Sequence, residues 1–126
     1  MDVKISQFVD ESDESKEYIA QGNAIQASEK LYKAVEECIK ILTERHKLPE
    51  YEKAEEDGRW VGYLLGRAAR RLAQDLGGKE IKDTWARAFD IHVWGFHERK
   101  YGIEDVEQSI PYAEWLVSFV DTQSGQ

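Results

Sequence analysis

Apolar residues recur at intervals of three and four along nearly the whole chain, and no alternating Val/Ile/Thr run bounded by turns is present. The pattern therefore predicts helices and no sheet. The clearest stretch runs from Ala24 to His46. Ala27, Leu31, Ala34, Val35, Cys38, Ile41 and Leu42 form one stripe there, while Glu29, Lys30, Lys33, Glu36, Glu37, Lys40 and Glu44 read as its solvated side. At ~1.5 Å per residue this helix is roughly 33 Å long and spans a small domain. Leu48-Pro49 ends it.

A shorter first helix is expected to end at Gln21, with Gly22-Asn23 as a left-handed stop and restart; the acidic residues 10–17 either belong to it or fray. Residues 47–57 make the longest polar connection, with Tyr51 to Glu56 as a helical candidate. Asp57 has the chemistry of an N-cap for a third helix reaching Leu76, whose apolar set is Val61, Leu64, Leu65, Ala68, Leu72 and Leu76. Gly62 and Gly66, one turn apart, cost helix propensity and predict that another backbone packs close to them. A fourth helix carries Trp85 to Tyr101 and stops at Gly102. A fifth runs from Ile103 to Asp121 with Ile103, Val106, Ile110, Ala113, Leu116, Val117 and Val120 at helical spacing. Pro111 should kink or split it, with Ser109 capping the second part. The whole predicts one all-α domain over residues 1–126, an antiparallel bundle of four to five helices, with residues 1–15 and 122–126 expected to fray.

Composition narrows the function classes. With 126 residues, 41% hydrophobic and 33% charged, the chain is expected to fold as one soluble domain with its own core. No apolar run approaches the ~18–20 residues of a membrane span, so no membrane association is expected. The N-terminus has neither the basic nor the apolar region of a secretory signal, and the single Cys38 excludes an intramolecular disulfide and a cysteine-based zinc site. A cytoplasmic setting follows as the expectation. A net charge of −8 argues against constitutive nucleic-acid binding, which depends on neutralising phosphates with Lys and Arg.

Chemistry and packing compete in Trp85–Tyr101. On a helical wheel Ile81, Trp85, Ala88, Phe89 and Phe96 fall on one side with His92 among them, which reads as a core histidine packed on aromatic rings. Arg87, Trp94 and Tyr101 fall on the opposite side with Ile91 nearby. A helix apolar on two faces is central in its bundle or faces another subunit, so Ile91, Trp94 and Tyr101 are candidate interface residues of a homodimer. His92 and His97, five apart, should point ~140° away from each other on an α-helix, so no metal site is expected. Arg67, Arg70 and Arg71 lie on one flank of the third helix. They form either a phosphate-binding patch or ion pairs with neighbouring carboxylates. No nucleophile elbow, phosphate loop or dinucleotide fingerprint is present, no cofactor is implied, and Cys38 sits on an apolar stripe where a thiol is usually inert packing.

Two blocks carry a family resemblance. Gly22-Asn23-x-x-Gln26-Ala27-Ser28-Glu29-Lys30-Leu31-Tyr32-Lys33-Ala34, followed by Ile91-His92-Val-Trp-Gly-Phe96-His97-Glu98, resembles the PaREP family of archaeal helical proteins, over about residues 16 to 120. That family is in turn similar to the HEPN helical bundles, many of which are dimeric, metal-independent RNases with an Arg, four to six residues, then His. Arg87-Ala88-Phe89-Asp90-Ile91-His92 matches that spacing. Carried over, the resemblance implies His92 as general base or acid on a ribose 2′-hydroxyl and Arg87 as the stabiliser of phosphorane charge. The residue after the arginine is usually polar in active members and is Ala88 here. Non-catalytic relatives serve as partners of nucleotidyltransferases or as nucleotide-binding modules. The expectation is therefore a non-catalytic module that self-associates and binds a nucleotide or a protein partner. The alternative is a metal-independent endoribonuclease using Arg87 and His92.

Overall fold

The computed structural model describes residues 3–124, with side chains from 11 to 123. Seven α-helices follow in order: α1 (Val3–Ala20), α2 (Ala24–Arg45), α3 (Pro49–Asp57), α4 (Gly62–Leu76), α5 (Glu80–Ile91), α6 (Ile103–Glu107) and α7 (Ile110–Ser124). A π-helical turn, His92–His97, continues α5 without a break. The described residues contain no strand.

α2 is the centre of the bundle, packed on by α1, α4, α5, the π-helical turn and α7. Every residue of its predicted stripe is buried, and so are Ser28, Tyr32, Ile39 and Thr43 on its flanks. The two buried hydroxyls are satisfied within the helix, Ser28 Oγ donating to the Ala24 carbonyl at 2.7 Å and Thr43 Oγ1 to that of Ile39 at 2.6 Å. Gly22 adopts φ +76°, and the Asn23 side chain accepts from the Gln26 N–H at 3.1 Å, so a left-handed stop is followed at once by a capped start. α1 is helical from Val3, and Glu11, Ser12 and Ser15 on its acidic stretch are buried. Ser15 Oγ donates to the Ala27 carbonyl at 2.7 Å and joins α1 to α2. Residues 1 and 2 of the start expected to fray, and 125–126 of the end, lie outside the described residues.

The polar connection contains a complete helix, α3, entered through Pro49 in its first turn. Asp57 is its last residue rather than a cap for the next helix, and Gly58 at φ +74° closes it. α3 is fastened to α4 by Arg71, whose Nε and Nη2 donate to the two carboxylate oxygens of Glu50 at 2.8 and 3.0 Å. Glu50 is only 3% exposed, and this fork of charged hydrogen bonds holds its carboxyl below the usual glutamate range. The expected fifth helix is split into α6 and α7, with Pro111 in the first turn of α7. Ser109 does not cap α7 through its side chain; its Oγ donates back to the Asp105 carbonyl at 3.1 Å. Val106, Ile110, Ala113, Leu116, Val117 and Val120 all reach the core. Cys38 is fully buried there, and burial pushes its thiol pKa up.

Candidate functional site

α5 offers Ile81, Thr84, Trp85, Ala88 and Ile91 to the core at regular helical spacing. Its large rings seat in the surface of α4. A Cβ on Gly66 would lie 3.1 Å from Trp85 Nε1, and one on Gly62 3.6 Å from Phe89 Cε2. Gly66 therefore makes room for the Trp85 ring, whereas a Cβ at Gly62 would meet Phe89 at ordinary contact distance, and neither glycine faces a neighbouring backbone.

Beyond Ile91 the hydrogen bonding widens from i→i+4 to i→i+5, as in Glu98 N–H to the Val93 carbonyl at 2.8 Å. The continuous helix expected to reach Tyr101 ends at His97. Lys100 and Tyr101 N–H groups both return to the Trp94 carbonyl, at 2.7 and 3.1 Å, with Arg99 at φ +56° making the turn. Gly95 explains where the turn sits. A Cβ there would lie 2.2 Å from Ser28 Oγ and 2.9 Å from Ser28 Cβ, so the backbone of the turn lies directly on α2.

The wider turn changes which side chains meet. Residues five apart stack above one another, and His92 Nε2 lies 3.1 Å from His97 Nε2, the rings edge to face at 84°. The 140° separation expected for an α-helix does not apply here. His92 stacks with Tyr32, 3.9 Å away and nearly parallel at 19°, and with Phe96, 6.0 Å away at 9°. Its Nδ1 faces Glu29 Oε2 at 3.7 Å, outside hydrogen-bond range, and both atoms are buried with no other partner. Burial first, then His97, pull the His92 pKa below its ordinary value, and burial with Glu36 nearby raises that of Glu29. A neutral imidazole results at pH 7. Tyr32 is raised by its own burial and by Glu36.

The sequence pattern placed His92 among Trp85, Phe89 and Phe96 but did not identify its partners on α2. Glu29 had been assigned to the solvated side of that helix. The usable signal was the i, i+3, i+7 spacing of Glu29, Tyr32 and Glu36, which puts all three on one flank.

Arg87 turns the other way. Its Cζ stands 4.8 Å above the Tyr112 ring on α7, with Nη2 3.4 Å from the Tyr112 hydroxyl. Arg87 and His92 thus engage different helices. Ile91 is 1% exposed and belongs to the core, so it is not on the outer face. Trp94 is 44% exposed, and the Tyr101 hydroxyl donates to the Asp90 carboxylate, 2.8 and 3.0 Å from its oxygens. Between α5 and α7 an open cavity of about 250 Å³ is lined by Glu80, Asp83, Thr84, Pro111, Tyr112 and Trp115. The three arginines of α4 have separate surroundings: Arg71 holds Glu50, Arg67 lies 5.3 Å over the Tyr63 ring, and Arg70 borders the groove of Trp85 and Phe89. Among the described residues, no set of three or more His, Cys, Asp or Glu side chains is arranged to hold a metal ion.

Residues 3–117 match the archaeal PaREP1/PaREP8 family. The chain is similar to a crystal structure of a Sulfolobus solfataricus protein, with 29% identity, 97% of each chain covered and a TM-score of 0.80. A solution structure of the same structural-genomics target is 30% identical, covering 95% of this chain and 90% of that one at a TM-score of 0.78. No curated protein sequence matches the chain.

Proposed function

The chain belongs to the archaeal PaREP1/PaREP8 family, and from that premise we propose that it is a non-catalytic interaction module that self-associates through α5 and α7. The observation that carries this reading is the set of exposed rings: Trp94 at 44% in the turn that continues α5, and Tyr112 at 37% with Trp115 at 38% on α7. Arg87 stacks on Tyr112 within this set, and Asp90 with Tyr101 adjoins it. Tyr, Trp and Arg are the residue types that dominate contact energies at protein interfaces. Asp83, Arg87 and Asp90 alternate in sign along one side of α5. A two-fold contact would set Arg87 of each copy against a carboxylate of the other, which suits an isologous dimer.

The nuclease reading requires a guanidinium and an imidazole converging on one phosphate. Within one chain the Arg87 side chain packs on Tyr112 of α7 and the His92 ring on Tyr32 of α2, and that separation favours the non-catalytic reading.

Light scattering and sedimentation test the proposal. The expected mass at micromolar concentration is that of a dimer, shifted to monomer by the Trp94→Ala/Trp115→Ala double variant with an unchanged melting curve. A monomeric wild-type protein at these concentrations overturns it. RNA cleavage in EDTA, lost in folded Arg87→Ala and His92→Ala proteins, would replace it with the nuclease.

A further inference from the structure

We propose that His92 and His97 form a two-nitrogen clip for a divalent transition-metal ion that prefers imidazole, such as Zn²⁺, Ni²⁺ or Cu²⁺. The clip shares its turn with Trp94, but its ligands are the two histidines and not the exposed rings.

The geometry is specific. The two Nε2 atoms stand 3.1 Å apart. At metal–imidazole bond lengths of about 2.0–2.1 Å, that separation sets an N–metal–N angle of roughly 100°. This lies between the right angle of neighbouring octahedral or square-planar ligands and the tetrahedral value, within reach of all three ions. Only the π-helical turn produces it, because residues five apart on an α-helix diverge.

The surroundings complete the case. A histidine bound through Nε2 carries its proton on Nδ1, and metal-ligating histidines nearly always present that N–H to a carboxylate or carbonyl. His92 Nδ1 and Glu29 Oε2 are two buried atoms without partners, and they face each other at 3.7 Å. A small approach on metal binding satisfies both at once. Tyr32 and Phe96, both nearly parallel to the His92 ring, pack against it, and Gly95 on Ser28 fixes the backbone beneath. His97 is exposed, so the ion enters from solvent and the remaining coordination positions are filled by water. Without metal the pair makes a single N–H···N hydrogen bond; on metal binding the donor ring gives up its Nε2 proton and carries one on Nδ1 instead, which frees both Nε2 lone pairs for the ion.

Calorimetric titration of the untagged protein with zinc chloride tests the inference, with Cu²⁺ electron paramagnetic resonance as a second readout. The expectation is one ion per chain and a copper signal with nitrogen coupling. His97→Gln, at an exposed position, should leave the melting curve unchanged and weaken zinc binding about tenfold or more, and Glu29→Ala should weaken it by about 10–100-fold. His46→Gln, on the exposed end of α2, should change nothing. No saturable binding with millimolar zinc overturns the proposal. So does binding that survives His97→Gln unchanged, or binding that depends on His46 instead.

Discussion

Along α5 the contact with α4 is made by rings, Trp85 set into the notch at Gly66 and Phe89 resting beside Gly62. A few residues further on, the π-helical turn brings its own backbone at Gly95 against Ser28 of α2. The first contact consists of side-chain area and tolerates small adjustments of the rings. The second consists of main chain, with a side-chain atom of Ser28 already where a methyl would stand. One continuous stretch of helix thus packs by two rules, and each rule has its own sensitivity to mutation.

The largest effect should come from the ring contact. Trp85→Ala removes a side chain that is 8% exposed and leaves a hole beside Tyr32 and Phe89, at an expected loss of about 3–5 kcal/mol in urea unfolding. A loss under about 1 kcal/mol would mean that α4 and α5 collapse together and the Gly66 notch is not specific.

Gly95→Ala should come next, at about 1–3 kcal/mol, because the new methyl meets atoms of Ser28 that cannot all move aside. Gly66→Ala, facing a ring edge at 3.1 Å, should cost less. Pairing Gly95→Ala with Ser28→Gly removes the clash, so the double variant should lose less than the sum of the two single losses in a double-mutant cycle. Strict additivity, or equal losses at Gly66 and Gly95, would erase the distinction between the two contacts.

The smallest effect is a pH dependence confined to the turn. The His92 pKa is lowered in the folded state by burial and then by His97. The unfolded chain therefore binds its proton more readily, and the stability this contributes is complete above the unfolded value of about 6.5. It is lost as the pH falls from there toward the lowered native value. Melting temperatures recorded in EDTA should drop across that window in wild type and drop less in His92→Gln; identical slopes would remove His92 as the cause. The core residues of α5 itself, Ile81, Thr84, Trp85, Ala88 and Ile91, have no group that titrates there.

The same contrast explains what was legible in the sequence. The stripes of α2, α4 and α7 appear as buried residues because a regular helix converts spacing into direction, and Ala27, Leu31, Leu65, Leu72, Leu116 and Val120 needed no tertiary information. Asp57 reads as an N-cap because a carboxylate before a helix and one at the end of the preceding helix look alike until Gly58 is seen in the left-handed region. The His92–His97 pair was unreadable for a deeper reason. The wheel presumes i→i+4 bonding, whereas the step to i→i+5 occurs where Gly95 lies against Ser28, 67 residues earlier in the chain. Glu29 was hidden by the same fact, since its position on α2 became an inner flank only once the turn had docked there.

Cys38, at the centre of α2, has no exposure and a thiol held in its unreactive protonated form. Because it is the single thiol of the chain and α2 touches most of the bundle, an alkylating reagent can reach it only when that bundle opens. The rate at which the native protein takes up one such label is therefore a clock for the opening of the molecule, free of any introduced dye.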